Sequence, residues 1–532
     1  MNVSHIPFYK TGFFSKIIAD YLSEKETIRF FYHNYPNFNG FKKQIEEKQA
    51  SFLNEKRQVL VRAIQNQYAA INASNKTQKN IEALLQENTF TVTTGHQLNL
   101  FTGPLYFLYK IISTINLCEE LTQKFPKKNF VPVYWMATED HDFAEINYFN
   151  FKGIKVQWNT NQKGAVGRFS TDGLALVLER FSEELGDSEH AEFLKNLFYQ
   201  AYVTHSKLAD ATRYIANELF GAYGLVVLDS DSSELKQQFT PYVKDELLAN
   251  TSFKAVSNTN DSLKENYAIQ VNPREINLFY LKNNLRERIV VENQEYKVHN
   301  TAITFTKDEI LEEVERFPDR FSPNVIMRPL YQEVILPNLC YIGGGGELAY
   351  WLQLKKYFNT VAVPFPILLL RNSVQIISQK QQKKLDKLHI SIPQLFLKQN
   401  DLVVKKVKEN TKISFDFTQQ KTFLQEQFLQ LKNIAKQTDV TFLGAVNAQE
   451  QKQLKGLENL EKRLIKAEKR KQKDLVERIK LLQNELLPNQ SLEERQRNFS
   501  EYYLAYGDMF LKTLKNTLKP LQLEFTVVVF EN

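Results

Sequence analysis

Only two cysteines occur in 532 residues, Cys118 and Cys340. They lie far apart, each among apolar neighbours, with no C-x-x-C partner. A disulfide framework or a zinc knuckle is therefore not expected, and buried structural thiols are. No run of about 18 apolar residues exists, so no membrane span is expected. The amino terminus M-N-V-S-H-I-P-F-Y-K lacks a basic region followed by an apolar stretch, which removes the signature of a secretory signal. A soluble, cytoplasmic protein is the expectation. The T-T-G-H-Q turn at Thr93–Gln97 is neither G-x-G-x-x-G nor G-x-x-x-x-G-K-[ST], so nicotinamide and P-loop chemistry are disfavoured, and no redox cofactor is expected. Charge of one sign is also scarce. The net value is +7, suited to acidic small molecules but too small to imply nucleic acid.

What the chain has is core material and length. Apolar residues make up 43%, with 39 Phe and 24 Tyr. A chain this long exceeds what one hydrophobic core supports, so two or three domains are expected. Two neighbouring segments stand out. T-F-T-V-T-T-G-H-Q-L-N-L-F-T-G-P-L-Y-F-L-Y-K runs from Thr89 to Lys110, and V-P-V-Y-W-M-A-T-E-D-H-D-F-A-E-I-N from Val131 to Asn147. Each opens as a β-branched and aromatic run and then breaks into glycine or a polar cluster. Strands of an open α/β sheet deliver functional groups to their carboxyl ends in this way.

The organisation follows from the periodicities. Residues 1–87 read as helices, one around Phe41–Ile71 with Phe52, Leu53, Leu60 and Ile64 spaced along it. A first strand covers Phe90–Thr93 and breaks at Gly95. A helix follows from Pro104 to Leu121, with proline in its first turn, and a second strand covers Val131–Met136. Residues 150–220 read as a mostly helical insertion and Gly221–Ser230 as a third strand. A small antiparallel module occupies 250–320, centred on the short runs of Ala268–Phe305. Ser322–Pro337 reads as a helix with a serine N-cap and Ile342–Trp351 as another helix start. Val361–Ser373 reads as an edge strand, because its prolines cannot serve a central ladder. The expected fold is α/β: a core domain over 1–375 carrying two inserted modules, then a helical domain over 376–520.

In that second part Leu457, Leu460, Leu464 and Ala467, then Leu475, Ile479, Leu482 and Leu486, recur at threes and fours with a mismatch near Lys471. This fits a coiled coil with a stutter. Further helices are expected over Phe417–Lys436 and Leu492–Thr517, and a closing strand over 521–532. Residues 452–480 hold eleven basic and five acidic side chains; a solvated coiled-coil face and a polyanion contact both fit.

Candidate site residues lie where the segments break. After the first strand come Thr94, Gly95, His96, Gln97 and Asn99, placed to meet phosphate or carboxylate oxygens at a helix start. The plainer alternative is a tight turn at Gly95 with His96 capping the helix. Glu139, Asp140, His141 and Asp142, with Glu145, suit general base work or the anchoring of an ammonium. Two aspartates beside His141 are expected to raise its pKa. A metal is not expected there, since one histidine stands alone; a surface acidic loop is the plainer alternative. G-G-G-G-E (Gly343–Glu347) offers backbone N–H groups and the Glu347 carboxylate. Arg328 and Arg371 are candidate carboxylate forks, with surface ion pairs as the alternative.

Together T-G-H-Q-L-N-L-F-T-G-P-L-Y, the Val131–Asn147 block, S-P-N-V-I-M-R-P-L-Y-Q-E and I-G-G-G-G-E-L-A-Y-W resemble the signature blocks of the bacillithiol biosynthesis BshC family, over nearly the whole chain. The resemblance implies a Rossmann-like core with two connecting insertions, a carboxy-terminal coiled coil, and a homodimer formed through that coil. It implies a cysteine ligase that joins L-cysteine to the amine of glucosaminyl malate. Activation by ATP is then expected on chemical grounds, with magnesium as a possible companion. Asp140, His141 and Asp142 become the expected base and amine anchor. Gln97 and Asn99 would hold phosphate or carboxylate oxygens, and Arg371 the malyl carboxylates. The family commonly reads T-G-Q-Q where this chain has Thr94–Gln97, and G-G-P-G-E where it has Gly343–Glu347. Two other classes fit the same residues: another adenylate-forming or nucleotidyl-transferring enzyme, and a non-catalytic coiled-coil protein that binds a partner through its basic helix.

Overall fold

The structure, a computed structural model, describes residues 2–531. Met1 and Asn532, where the expected helical segment begins and the expected closing strand ends, lie outside the described residues. Five strands form the central sheet: β1 (Thr89–His96), β2 (Asn129–Met136), β3 (Val226–Asp229), β4 (Asn338–Gly343) and β5 (Ile367–Leu370). All neighbours are parallel and the order is β3-β2-β1-β4-β5. That is the doubly wound order, in which the chain reverses direction across the sheet between β1 and β4. The core is thus α/β and Rossmann-like.

Central parallel strands are buried on both faces and favour β-branched residues, which explains T-F-T-V-T-T. Its threonines are satisfied by β4: the Thr91 and Thr93 hydroxyls reach Asn338 Oδ1 at 3.2 and 2.9 Å, and the Thr94 hydroxyl donates to the Ile342 carbonyl at 2.7 Å. β1 is longer than expected. It pairs with β2 through Gly95 and His96, so Gly95 lies in the strand and makes no turn. Pro132 is tolerated inside β2 because β3 pairs only from Val133 onward. β5 is the expected edge. β4 went unread, since N-L-C-Y-I-G sits between two stretches that read as helix.

The β1-to-β2 crossover is the Tyr106–Lys124 helix. The helical insertion opens with a hairpin, Tyr148–Phe151 and Ile154–Gln157, before its three helices. The antiparallel module is narrower than expected: its hairpin strands lie between Leu278 and Phe305, flanked by helices Thr251–Leu263 and Lys307–Arg316. Phe321–Pro323 joins this sheet as a strand, so Ser322 caps no helix. The helix begins at Arg328, after an Asn324 side chain that accepts the Ile326 N–H.

The chain's two ends meet. Asn2–Ile6, an unexpected strand, pairs antiparallel with Phe525–Phe530, which also pairs parallel with Val374–Ser378. The coiled-coil helix runs over Val440–Lys471 and Lys473–Leu486 and breaks at Gln472, at the expected stutter. Helix Thr418–Ala435 folds back on its distal half. The expected helix after Leu492 is two, Phe499–Tyr506 and Asp508–Thr517, divided by Gly507 at φ 56°. No helix among the described residues is long and apolar enough to cross a membrane.

Between the coiled coil and those last helices, Glu493 and Glu494 are buried against Val374–Ser378. Burial pushes the Glu493 carboxyl up to about 7, although Arg497 and the Tyr502 hydroxyl oppose it. An unfolded glutamate releases its proton near ~4.3. Between those values the folded state holds a proton that the unfolded chain has lost, so this group's contribution to stability falls as pH rises through the window. Glu493→Gln removes the titration. Its melting temperature relative to wild type is expected to move in the variant's favour by a few degrees from about pH 5 to about pH 8; a constant difference would refute the assignment.

Candidate functional site

Open α/β sheets bind ligands outside the strands' carboxyl ends, where the order reverses. A cleft of about 400 Å³ lies at that place. β1 delivers Gly95, His96 and Gln97, and the loop after β2 delivers Ala137 and Asp140. The turn after β4 delivers Gly344, the helix Gly345–Trp351 that follows it delivers Glu347, and Arg371 comes directly after β5. Arg328 comes from the helix leading into β4, and Arg495 from the carboxy-terminal segment.

The floor is a buried ion pair. Lys110 Nζ lies 2.5 Å from Glu347 Oε2 and donates to the Gly95 carbonyl at 2.7 Å. Glu347 also accepts from the Tyr341 hydroxyl at 2.6 Å and the Gly344 N–H at 2.9 Å. Burial lowers the Lys110 pKa despite its partner. Burial alone would raise that of Glu347, but Lys110 outweighs it and the carboxyl stays below its usual range. Gly95 leaves room for this floor: a Cβ there would stand 3.1 Å from Tyr341 Oη and press on the hydroxyl that holds Glu347.

Arg371 closes one wall. Its Nη2 pairs with Glu494 Oε1 at 2.7 Å, its Nη1 donates to the Asn372 carbonyl and Ser373 Oγ, and its buried Nε has no partner. His96 packs against Tyr106 and Phe107. Burial, with Lys110 and Arg371 nearby, holds its pKa well below the usual value. The neutral ring bonds the Thr102 backbone, and its buried Nε2 has no partner.

The rim carries the acidic cluster, split three ways. Glu139 is buried and paired with Lys236, outside the cleft. Asp140 lines the cleft, taking Gln97 Nε2 at 3.2 Å and the His141 N–H at 2.8 Å. Burial would raise its pKa, but Arg328 and Arg286 outweigh it and hold the carboxyl low. His141 and Asp142 are exposed beside the cleft. His141 Nδ1 lies 2.6 Å from Arg286 Nη1. A guanidinium only donates, so the imidazole accepts there. Partial burial and then Arg286 lower its pKa, outweighing the two aspartates. This reverses the expected rise; the sequence around His141 could not disclose an arginine 145 residues away. Gln97 Nε2 also donates to Glu145 at 2.9 Å, and Asn99 Nδ2 donates to the Glu145 carbonyl at 3.3 Å. Thr94 is spent on the sheet.

Lys110, Tyr106, Tyr341, Arg286 and Arg495 were not singled out. Lys110 had a signal: it is the lone charge in Y-F-L-Y-K-I-I-S, on a helix with no other charged side chain before Glu119. Arg495 had none.

Fold and site together define a Rossmann-like protein with a charged ligand cleft at its switch point. The family model described as "Bacillithiol biosynthesis BshC, N-terminal Rossmann-like domain" matches residues 1–372, and "Bacillithiol biosynthesis BshC, C-terminal coiled-coil domain" matches 374–530. The chain belongs to the BshC family. A Flavobacterium johnsoniae relative named "Putative cysteine ligase BshC" is 56% identical over 99% of this chain and 100% of its own. Proteins of the same name from Christiangramia forsetii and Staphylococcus saprophyticus are 54% and 28% identical, over 100% and 71% of this chain and 99% and 71% of theirs.

Removing one partner of a buried pair strands the other charge, at about 3–5 kcal/mol when both are fully buried. The Glu347 side chain keeps 26% of its exposure, so Glu347→Gln is expected to cost about 2–3 kcal/mol. Adding Lys110→Met should recover most of that loss. Denaturant unfolding of the two singles and the double checks this, and strict additivity would refute the coupling.

Proposed function

We propose that the protein forms the amide bond between L-cysteine and the amine of glucosaminyl malate, the last step of bacillithiol biosynthesis, with ATP activating the cysteine carboxylate. The observation that carries this reading is the mixed charge of the switch-point cleft, where Asp140 and Glu347 share one pocket with Lys110, Arg328, Arg371 and Arg495. The two substrates and ATP bring carboxylates, phosphates and an ammonium, the partners such a set recognises. The names of the relatives supply the reaction class.

A carboxylate does not condense with an amine in water, because its oxygen is a poor leaving group. Transfer of an adenylyl or phosphoryl group from ATP, with release of pyrophosphate or ADP, converts that oxygen into a good one. The amine then attacks the carbonyl carbon, the C–N bond forms, the C–O bond to AMP or phosphate breaks, and the amine gives up a proton to the Asp140 carboxylate. Asp140, ionised at neutral pH and facing the cleft, anchors the ammonium and is the cluster's carboxylate in reach of that proton. His141 has its Nδ1 lone pair engaged by Arg286 and so supports Asp140 from outside. Asp142 adds negative charge at the rim. The donors free to take carboxylate or phosphate oxygens are Arg328, Arg495 and Arg371 Nε. His96 Nε2 serves as a hydrogen-bond acceptor, and a glutamine in that place, the family's common residue, keeps an acceptor in its amide oxygen. Among the described residues no group of three or more His, Cys, Asp or Glu is placed to hold a metal, so magnesium would enter with the nucleotide. The same reading has the reaction take place in the cytoplasm.

Product is expected by mass spectrometry only when ATP and magnesium accompany both substrates. Asp140→Asn should cut kcat/KM about 10- to 100-fold, the worth of one hydrogen bond to a charged group. Product without ATP would overturn the activation step. ATP consumption only with another acid and acceptor would point to a different adenylate-forming enzyme.

The same reading includes a homodimer formed through the coiled coil. The hairpin of Thr418–Ala435 on Val440–Lys471 buries Phe428, Ala435 and Val446 but leaves Phe423, Ile434, Val440 and Leu460 exposed. Phe423 and Ile434 are eleven residues apart, on one helix face. Light scattering is expected to give a dimer for wild type and a monomer for the Phe423→Glu/Ile434→Glu double variant.

A further inference from the structure

The cleft does not end at Gln97. Gln97, Tyr106 and Arg495 also line an adjoining hollow of about 270 Å³, walled further by Asn99, Glu145 and Tyr148. Two observations mark this annex as built to receive a ligand. The first is its strained loop. Phe101, Thr102 and Gly103 stand in succession at φ 46°, 69° and 63°, a conformation that persists only when its surroundings over-determine it. Here the Phe101 N–H donates to Tyr202 Oη at 2.8 Å, and Asn498 Nδ2 donates to the Phe101 and Gly103 carbonyls at 2.8 and 2.6 Å. Gly103 admits Asn99 closely, since a Cβ would fall 2.6 Å from Asn99 Cβ.

The second observation is an orphaned acceptor. Asn99 is 7% exposed and lines the annex, yet its Oδ1 has no hydrogen-bond partner. A buried acceptor left unpaired is costly, and a ligand donor removes that cost. The Glu145 carboxylate, exposed and bound by Gln97, lies on the same wall. At the mouth shared with the main cleft stands the exposed Arg495, whose guanidinium makes no hydrogen bond or ion pair among the described residues. Acceptors thus gather within and a donor fork stands at the mouth. The volume falls below the ~300–1,000 Å³ usual for drug-sized ligands, which suits one small amino acid better than a glycoside or a nucleotide.

We propose that the annex is the amino-acid subsite, holding a small α-amino acid with its ammonium against Asn99 and Glu145 and its carboxylate against Arg495. The choice of cysteine as that amino acid rests on the proposed reaction. In this pose the carboxylate lies at the boundary of the two compartments, open to the main cleft where Asp140 anchors the amine of the acceptor.

The test is calorimetric binding to the full-length protein under reducing conditions, with a non-hydrolysable ATP analogue present. L-cysteine, 3-mercaptopropionate (no amine), cysteamine (no carboxylate) and glucosaminyl malate are each titrated into wild type, Glu145→Gln and Arg495→Gln. Both residues are exposed, and melting temperatures check the fold. Glu145→Gln is expected to weaken cysteine about tenfold and leave 3-mercaptopropionate unchanged. Arg495→Gln should weaken cysteine and 3-mercaptopropionate alike and spare cysteamine, and neither should move glucosaminyl malate beyond about twofold. Variants that weaken glucosaminyl malate but not cysteine would overturn the subsite and leave the reaction standing. So would equal weakening of all four ligands. A wild type that binds neither substrate and makes no product would overturn the reaction as well.

Discussion

The ion pair between Arg371 and Glu494 fastens the second half of the chain to the cleft. Its side chains keep 4% and 1% of their exposure. A pair buried so deeply adds little net stability over an apolar substitute, but breaking it is expensive, at about 3–5 kcal/mol. What it provides is placement. Glu494 accepts from Arg371 Nη2, Ser373 Oγ and the Val374 N–H together, so the guanidinium that ends β5 is held with its Nε uncommitted. The same contact sets the next residue, Arg495, at the cleft and Asn498 against the strained 101–103 loop. The site is therefore completed by a segment more than 120 residues downstream of the last core strand.

The sheet supplies the rest through strand order alone. Because β1 and β4 lie side by side with their connections leaving in opposite directions, their carboxyl ends open a crevice that no helix fills. The Tyr341 hydroxyl comes close to Gly95 on one side, and the Gly344 N–H holds Glu347 on the other. Among the site's buried side chains His96 Nε2, Asn99 Oδ1, Trp351 Nε1 and Arg371 Nε are left unpaired, and each belongs to a residue lining one of the two connected hollows.

The strands that end in chemistry were legible because buried β-branched runs and their polar terminations are local features. β1, β2, β3 and β5 were each readable, and the stutter at Gln472 showed as a break in the leucine spacing. β4 was not, because six residues with a cysteine and a glycine carry no period that separates strand from helix. The site divided along the same line. Gln97, Asp140, Glu347 and Arg371 announce themselves at strand ends. Arg286 and Arg495 act through distances in space that one sequence does not encode, and Arg286 is what reverses the expected pKa shift of His141. Asn99 was read as a donor to oxygens, yet its donor is taken by the Glu145 carbonyl, and the acceptor is the end left free.

The charge on the cleft is less free than its composition suggests. Lys110 is committed to Glu347 and Gly95, and both terminal nitrogens of Arg371 are committed to the carboxy-terminal segment and its own strand. An incoming anion meets Arg371 Nε together with the uncommitted guanidiniums of Arg328 and Arg495, so its binding need not break these pairs. Donors fixed in advance toward developing charge cost no reorganisation when the charge appears. That is the arrangement required where a carboxylate must first be held, then converted to a mixed anhydride, then attacked. A pocket of loose lysines would satisfy the first of these needs, but it would have to rearrange for the other two.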